Sequence, residues 1–308
     1  MKIFFFTGKG GVGKSTTAAA SAWQLSHKAR VLIVSLDPAH NLGDIFGVSI
    51  RNGKKKFSKN LYLREVNLQK LSREYLEQET SVLSTTYSYL KTLNLDTYFS
   101  ILKYSPGIEE YALLTSIEKT IRDDSDFDYI IFDTPPTGLT LRFLALPKVT
   151  ITWIERLIQI RRQILEKRYT IHRIRGTLSS EETILDYKEE DDNILKRLRK
   201  LDENYHALDE TLRGSDCHVI LVFNPDILSL RESQRLVEGL RELGLPLRLL
   251  INNKLTEANR DMARHVEEQM KKSAGDVLLE RIELSKILLD GKKGTLYDIR
   301  ENIIPGSW

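Results

Sequence analysis

Short β-branched or apolar runs recur with helical stretches between them: Ile3–Thr7, Val31–Ser35, Tyr62–Val66, Tyr129–Thr134, Val219–Phe223, Leu247–Asn252 and Leu278–Leu284. Several are unbroken rather than alternating, which is how strands covered on both faces read. The pattern predicts an α/β fold with a doubly wound, mostly parallel sheet. The rhythm breaks twice, from about residue 68 to 126 and from about 148 to 214, and both intervals read as helix. In the second, Ile194, Leu198, Leu201, Tyr205, Leu208 and Leu212 recur at 4-3-4-3-4 spacing, a narrow seam on one helix face. Trp153, Ile154, Leu157, Ile158, Ile160, Ile164 and Leu165 form a wider stripe than one neighbouring helix needs. The first interval carries Leu76, Val82, Leu83, Tyr87, Leu90, Leu93, Tyr98, Phe99 and Leu102. Two readings stay open for these intervals: a helical layer packed on the sheet, or an apolar groove that opens for a client.

A chain of 308 residues has room for one large α/β domain or two smaller ones. We expect one domain over 1–308, its excess length absorbed by the two helical insertions. No apolar run approaches the ~18 residues that span a bilayer, so no integral membrane segment is expected. The apolar start Ile3–Phe6 is too short for a signal peptide and runs into glycines, which makes a cytoplasmic protein the expectation. With 46 basic against 43 acidic residues the surface is near neutral, and no nucleic-acid partner is expected. The runs Arg51–Lys59 and Lys188–Asp192 read as solvated loops. Cys217 is the sole cysteine, so the chain alone cannot build a disulfide, a multi-thiolate zinc site or an iron–sulfur cluster.

The chemistry concentrates in Gly8-Lys9-Gly10-Gly11-Val12-Gly13-Lys14-Ser15-Thr16, a G-x-x-x-x-G-K-[ST] phosphate loop (P-loop) that follows one predicted strand and precedes a predicted helix. Its glycines let successive N–H groups turn inward, and the helix N-terminus adds partial positive charge, so the segment forms an anion cradle. Lys14 reaches the β and γ phosphates in such a loop, and the Ser15 hydroxyl ligates Mg²⁺. Further candidates follow other strands. Asp37 is placed to orient or deprotonate the attacking water. Asp133 ends an Ile-Ile-Phe strand, where a carboxylate holds Mg²⁺ through water. Asn253-Lys254-Leu255-Thr256 approaches the guanine-reading N-K-x-D, but Thr256 stands where the aspartate belongs, which favours ATP over GTP.

Lys9 turns the loop into G-K-G-G-x-G-K-[ST], and on this pattern the chain resembles the deviant Walker A ATPases. Asp37-Pro38-Ala39-His40-Asn41 and Asp133-Thr134-Pro135-Pro136-Thr137-Gly138-Leu139-Thr140-Leu141-Arg142 are similar to the arsenite-pump and tail-anchored-protein-targeting branch. Pro135 and Leu139 depart from that branch, which has alanine and histidine there. The resemblance implies a homodimer in which Lys9 crosses to the partner's phosphates. It implies a switch of Asp133, Thr134, Pro136, Thr137 and Gly138 that senses the γ-phosphate. It also implies an adenine contact from Asn252 and, from Asp226, an acid near the partner's nucleotide. ATP and Mg²⁺ are the cofactors expected.

Three activities are compatible with this resemblance. A tail-anchored-protein targeting factor would seat a hydrophobic client helix in an apolar groove and meet a membrane receptor. An arsenical pump motor would bind soft As(III) through three thiolates, which one cysteine cannot supply. A partition- or septum-positioning-like ATPase would bind DNA through basic patches. The branch's usual C-x-x-C zinc staple is missing from residues 257–269, and Met262 and Met270, the internal methionines, lie outside both insertions.

Overall fold

The computed structural model describes residues 1–37, 41–50, 53–86, 105–175 and 187–284. Eight strands form one sheet: β1 (Lys2–Thr7), β2 (Val31–Ser35), β3 (Lys54–Lys56), β4 (Leu61–Glu65), β5 (Tyr129–Asp133), β6 (Cys217–Phe223), β7 (Leu247–Leu255) and β8 (Leu278–Glu283). Their order is β3-β4-β2-β5-β1-β6-β7-β8, and every pair is parallel except β3 with β4. The helices are α1 (Lys14–Leu25), α2 (Asn41–Phe46), α3 (Leu68–Thr86), α4 (Ile108–Asp123), α5 (Thr137–Arg175), α6 (Asn193–Arg213), α7 (Ile227–Leu243) and α8 (Arg260–Ala274).

The expected doubly wound architecture is present, and the unbroken apolar runs explain it. Strand β1 shows why: Phe4 and Phe6 point into one core with Ala18, Ala19 and Ala22 of α1, while Ile3 and Phe5 point into the other. That second core takes Phe143 and Leu144 of α5, Leu208 and Leu212 of α6, Leu236 and Leu240 of α7, and Val266 and Met270 of α8. Small residues on α1 let it lie close to the sheet, which places its first turn at the carboxyl edge of β1.

Three expectations change. Lys54–Lys56 is not loop but a short antiparallel edge strand on β4. Lysines on an exposed edge oppose pairing with another chain, so the charge that suggested a loop is also what an edge strand needs. Asp192 is not solvated: it is buried, caps α6 by accepting from the Leu195 N–H at 2.7 Å, and takes a two-pronged bond from Arg161. Finally, the second helical interval starts before residue 148. Helix α5 already begins at Thr137 and runs 39 residues through Pro147. Of the apolar residues noted in the first interval, Tyr87, Leu90, Leu93, Tyr98, Phe99 and Leu102 lie outside the described residues.

Candidate nucleotide site

Strand registry brings the predicted residues together. Phe6 and Ser35 both lie abreast of Asp133, so the ends of β1, β2 and β5 finish level, and the loop Gly8–Gly13 leaves from their midst. The strand order reverses at β1, which is where a parallel sheet opens a crevice at its carboxyl edge. Gly8 has φ of 149°, and a Cβ on it would stand 2.1 Å from the Val222 carbonyl oxygen of β6. Only glycine lets the loop pass so close to its neighbouring strand. Gly13 is left-handed at φ 96° and gives α1 no side-chain cap, so the first N–H groups of that helix remain for an anion.

Lys14 is buried, and its Nζ donates to the Lys9 carbonyl oxygen at 3.2 Å. Burial lowers its pKa, while the charges of Asp133 and Asp37 raise it again. An ammonium drawn off its solvent shell and facing two carboxylates is primed to meet phosphate oxygens. Asp37 is half-buried at the end of β2, within the electrostatic reach of Lys14; Pro38, Ala39 and His40 lie outside the described residues. Lys9, Ser15 and Thr16 are half-buried, Gly10 and Gly11 are exposed, and Val12 is anchored in the core.

Asp133 is fully buried, and neither carboxylate oxygen completes a well-formed hydrogen bond. Burial pushes its pKa up to about 7; the Ser15 hydroxyl and Lys14 oppose this, and Asp37 adds to it. The buried Thr7 and Ser35 hydroxyls at the same strand ends likewise complete no well-formed hydrogen bond. Such a cluster of hard oxygens suits a hydrated Mg²⁺, which prefers one or two protein oxygens together with waters and substrate phosphates. No group of three or more His, Cys, Asp or Glu that could hold a metal ion occurs among the described residues.

The burial of Asp133 sets up a test on the metal-free protein. Its native pKa lies above its unfolded value of 3.8, so the native state binds the proton more tightly and stability falls as pH rises from about 4 to about 7. Asp133→Asn should therefore raise Tm near pH 8 by roughly 2–4 °C in the absence of metal and nucleotide, with the gain shrinking toward pH 5. Calorimetry across that range checks it; a variant equally less stable at every pH would refute the burial argument.

The expected switch segment is fastened by buried hydroxyls. Thr134 donates to the Phe6 carbonyl oxygen of β1 at 2.9 Å, and Thr140 donates to the Pro135 carbonyl oxygen at 2.7 Å. Thr140 is a residue the sequence reading did not single out. Pro136 is exposed and approaches Gly10, while Thr137 and Gly138 form the first turn of α5. Leu139 packs against the second core, so the departure from histidine supplies apolar contact.

Two further predicted residues make local structural bonds. Asn252 is wholly buried and donates from Nδ2 to Glu267 of α8 at 2.9 Å, bracing β7 rather than facing the loop. Its neighbour Asn253 faces the loop instead, donating to the Val12 carbonyl oxygen at 2.8 Å. Burial raises the pKa of Glu267, but hydrogen bonds from Arg281 and Asn252 hold it below its ordinary value, consistent with a structural strut. Asp226 caps α7, accepting from the Ser229 N–H at 2.8 Å.

Residues 1–284 match the family described as anion-transporting ATPase. The chain belongs to that family. It is thus an ATPase of the anion-transporting family, and its relatives carry two kinds of name. It is 31% identical over 261 residues to a putative arsenical pump-driving ATPase 2 of Aquifex aeolicus (strain VF5), covering 84% of this chain and 82% of that one. A putative arsenical pump-driving ATPase 1 of the same organism is also 31% identical, over 83% of this chain but only 63% of its own length. ATPase get3 of Aspergillus terreus (strain NIH 2624 / FGSC A1156) is 28% identical over 317 residues, covering 95% of this chain and 88% of that one. No helix among the described residues is long and apolar enough to cross a membrane.

Proposed function

We propose that this ATPase is a cytoplasmic Mg·ATP hydrolase that works as a homodimer and couples its cycle to the holding and release of an apolar helix, as in the targeting of tail-anchored membrane proteins. One observation carries the choice of client. Helix α5 buries Ile151, Ile154 and Leu165 on one side, yet on another it exposes Val149, Trp153, Leu157, Ile160 and Ile164 at 4-4-3-4 spacing, with Trp153 65% accessible. That spacing makes a continuous stripe along the helix, and an apolar helix is the partner such a stripe fits.

The chemistry uses this chain's residues in stated roles. The N–H groups of Gly10 to Ser15 and the Lys14 ammonium bind the β and γ phosphates and hold the γ-phosphorus for in-line attack. Ser15 and Asp133 would hold Mg²⁺, which neutralises charge on the phosphate oxygens when bound. The Asp37 carboxylate accepts a proton from the attacking water or fixes its orientation. Lys9 reaches into the partner's site and stabilises the charge that builds as the bond to the leaving ADP breaks. Thr137 and Gly138 read the γ-phosphate at the start of the same helix that bears the exposed stripe, which links the nucleotide state to the client surface.

The arsenical-pump names of two relatives favour a second reading, a motor for arsenite export. The single thiol, Cys217, is buried and its pKa is pushed up to about 12 by that burial, so it is a poor ligand for As(III). Co-expression with a tail-anchored model substrate, followed by purification with and without Mg·ATP, tests the choice. A stable complex that forms with Mg·ATP supports the targeting role. Absence of a complex in every nucleotide state removes that role, and stimulation of turnover by arsenite would replace it with the motor.

A further inference from the structure

Strand β7 turns left-handed near its end at a residue that is not glycine. Lys254 is the only non-glycine residue at positive φ among the described residues, at 61°. A local network holds it there. Its N–H donates to Asn253 Oδ1 at 2.8 Å, and its carbonyl oxygen accepts from Asn259 Nδ2 at 3.0 Å. Asn259 Oδ1 in turn accepts from the Thr256 N–H at 2.8 Å, completing the cap of the short 3-10 turn Glu257–Asn259. Left-handed backbone is uncommon for lysine and persists only where the surroundings enforce it.

The left-handed turn directs two side chains at one target. Lys254 Nζ donates to the Gly11 carbonyl oxygen at 2.6 Å, and Asn253 Nδ2 donates to the Val12 carbonyl oxygen at 2.8 Å. These are consecutive carbonyls of the phosphate loop, both turned toward the end of β7. In a planar trans peptide the C=O and the next N–H point in opposite directions. Fixing the Gly11 oxygen outward therefore turns the Val12 N–H inward, and fixing the Val12 oxygen does the same for the Gly13 N–H. The geometry inside the loop agrees: the Val12 N–H and Lys14 Nζ both converge on the Lys9 carbonyl oxygen, at 3.5 and 3.2 Å.

We propose that Asn253 and Lys254 are positioning residues for nucleotide phosphates: clamping the outer carbonyls of Gly11 and Val12 presets the inward N–H donors before ATP arrives. The proposal rests on the phosphate-loop reading above and adds residues that never touch the phosphates themselves. A charged donor suits the Gly11 carbonyl because hydrogen bonds from ionised groups are the stronger kind. Because the clamp serves ground state and transition state alike, its loss weakens binding without slowing the chemical step.

The test uses the full chain with Lys254→Asn, since asparagine tolerates left-handed backbone but cannot span to Gly11. Titration with ADP and steady-state ATP kinetics should show Kd and KM raised about tenfold, equivalent to about 1.4 kcal/mol, with kcat within about twofold of wild type. Lys254→Arg, which restores a long charged donor, should recover most of that loss. Asn253→Asp is an isosteric second variant that sets an acceptor against the Val12 carbonyl oxygen, and it should weaken ADP binding at least as much. Wild-type affinity in both Lys254→Asn and Asn253→Asp overturns the proposal. So does a fall in kcat at unchanged KM, or a Lys254→Arg protein as weak as Lys254→Asn. Wild-type protein that binds neither ADP nor ATP would instead overturn the phosphate-loop reading beneath it.

Discussion

Lys9→Ala should bind Mg·ATP within about threefold of wild-type affinity while losing roughly 10³-fold or more in turnover. The expectation comes from the different positions of the two lysines. Lys14 is buried among the acids of its own site, whereas Lys9 is half-exposed on the outer turn of the loop and only its backbone oxygen is used by Lys14. A cation there adds little to binding in its own subunit but can meet the phosphates of a second one. Mixing experiments separate the two cases. Each of Lys9→Ala and Asp37→Asn should be inactive alone. In a mixed dimer, one ATP is served by an intact Asp37 from its own subunit and an intact Lys9 from the other. Equal mixing should then recover about a quarter of wild-type turnover, because half the dimers are mixed and each has one complete site. No recovery would place Lys9 in its own subunit's chemistry, and full activity in Lys9→Ala alone would make it a bystander.

Asp37→Asn should lower turnover by about 10² to 10⁴, the range that a positioned acid or base contributes. ATP affinity should hold or rise, since the change removes a negative charge that faces Lys14 and the incoming γ-phosphate. The protein should accumulate with ATP bound and sediment as a dimer in Mg·ATP but not in ADP. Wild-type hydrolysis by this variant would reassign the water-positioning role to another residue at the strand ends.

How far the sequence anticipates the molecule depends on the range of the forces involved. The loop Gly8–Thr16 is readable because strand, glycines, lysine and helix are contiguous, and local geometry alone makes the cradle. The placement of Asp37 and Asp133 near Lys14 is readable because Asp133 ends an apolar strand and Asp37 lies two residues beyond another. The bond of Asn253 to the Val12 carbonyl oxygen is not readable, since it turns on which face of β7 meets the loop. The pairing of β7 with β8 slips between Asn252 and Leu255, where Lys254 turns left-handed, and no short-range pattern announces that. Asp192 misleads for a similar reason: it lies in an acidic run, but its partner Arg161 is 31 residues away on another helix. The helical interval expected from about residue 148 misses the first turns of α5, which the buried Phe143 and Leu144 before Pro147 and Ile151 and Ile154 after it carry across the missing N–H.

That unbroken helix has a mechanical meaning. At 1.5 Å per residue, Ile164 lies about 40 Å along the axis from Thr137, so a tilt of about 5° at Gly138 would displace it by about 3.5 Å. A movement of this size is a sizeable fraction of the ~8–10 Å that separates packed helices. α5 is thus a long arm with its pivot at the proposed γ-phosphate sensor, and a sub-ångström adjustment there is enlarged at the far end. Pro147, which removes one rung of the helix ladder, is where that arm can bend and lose part of the displacement.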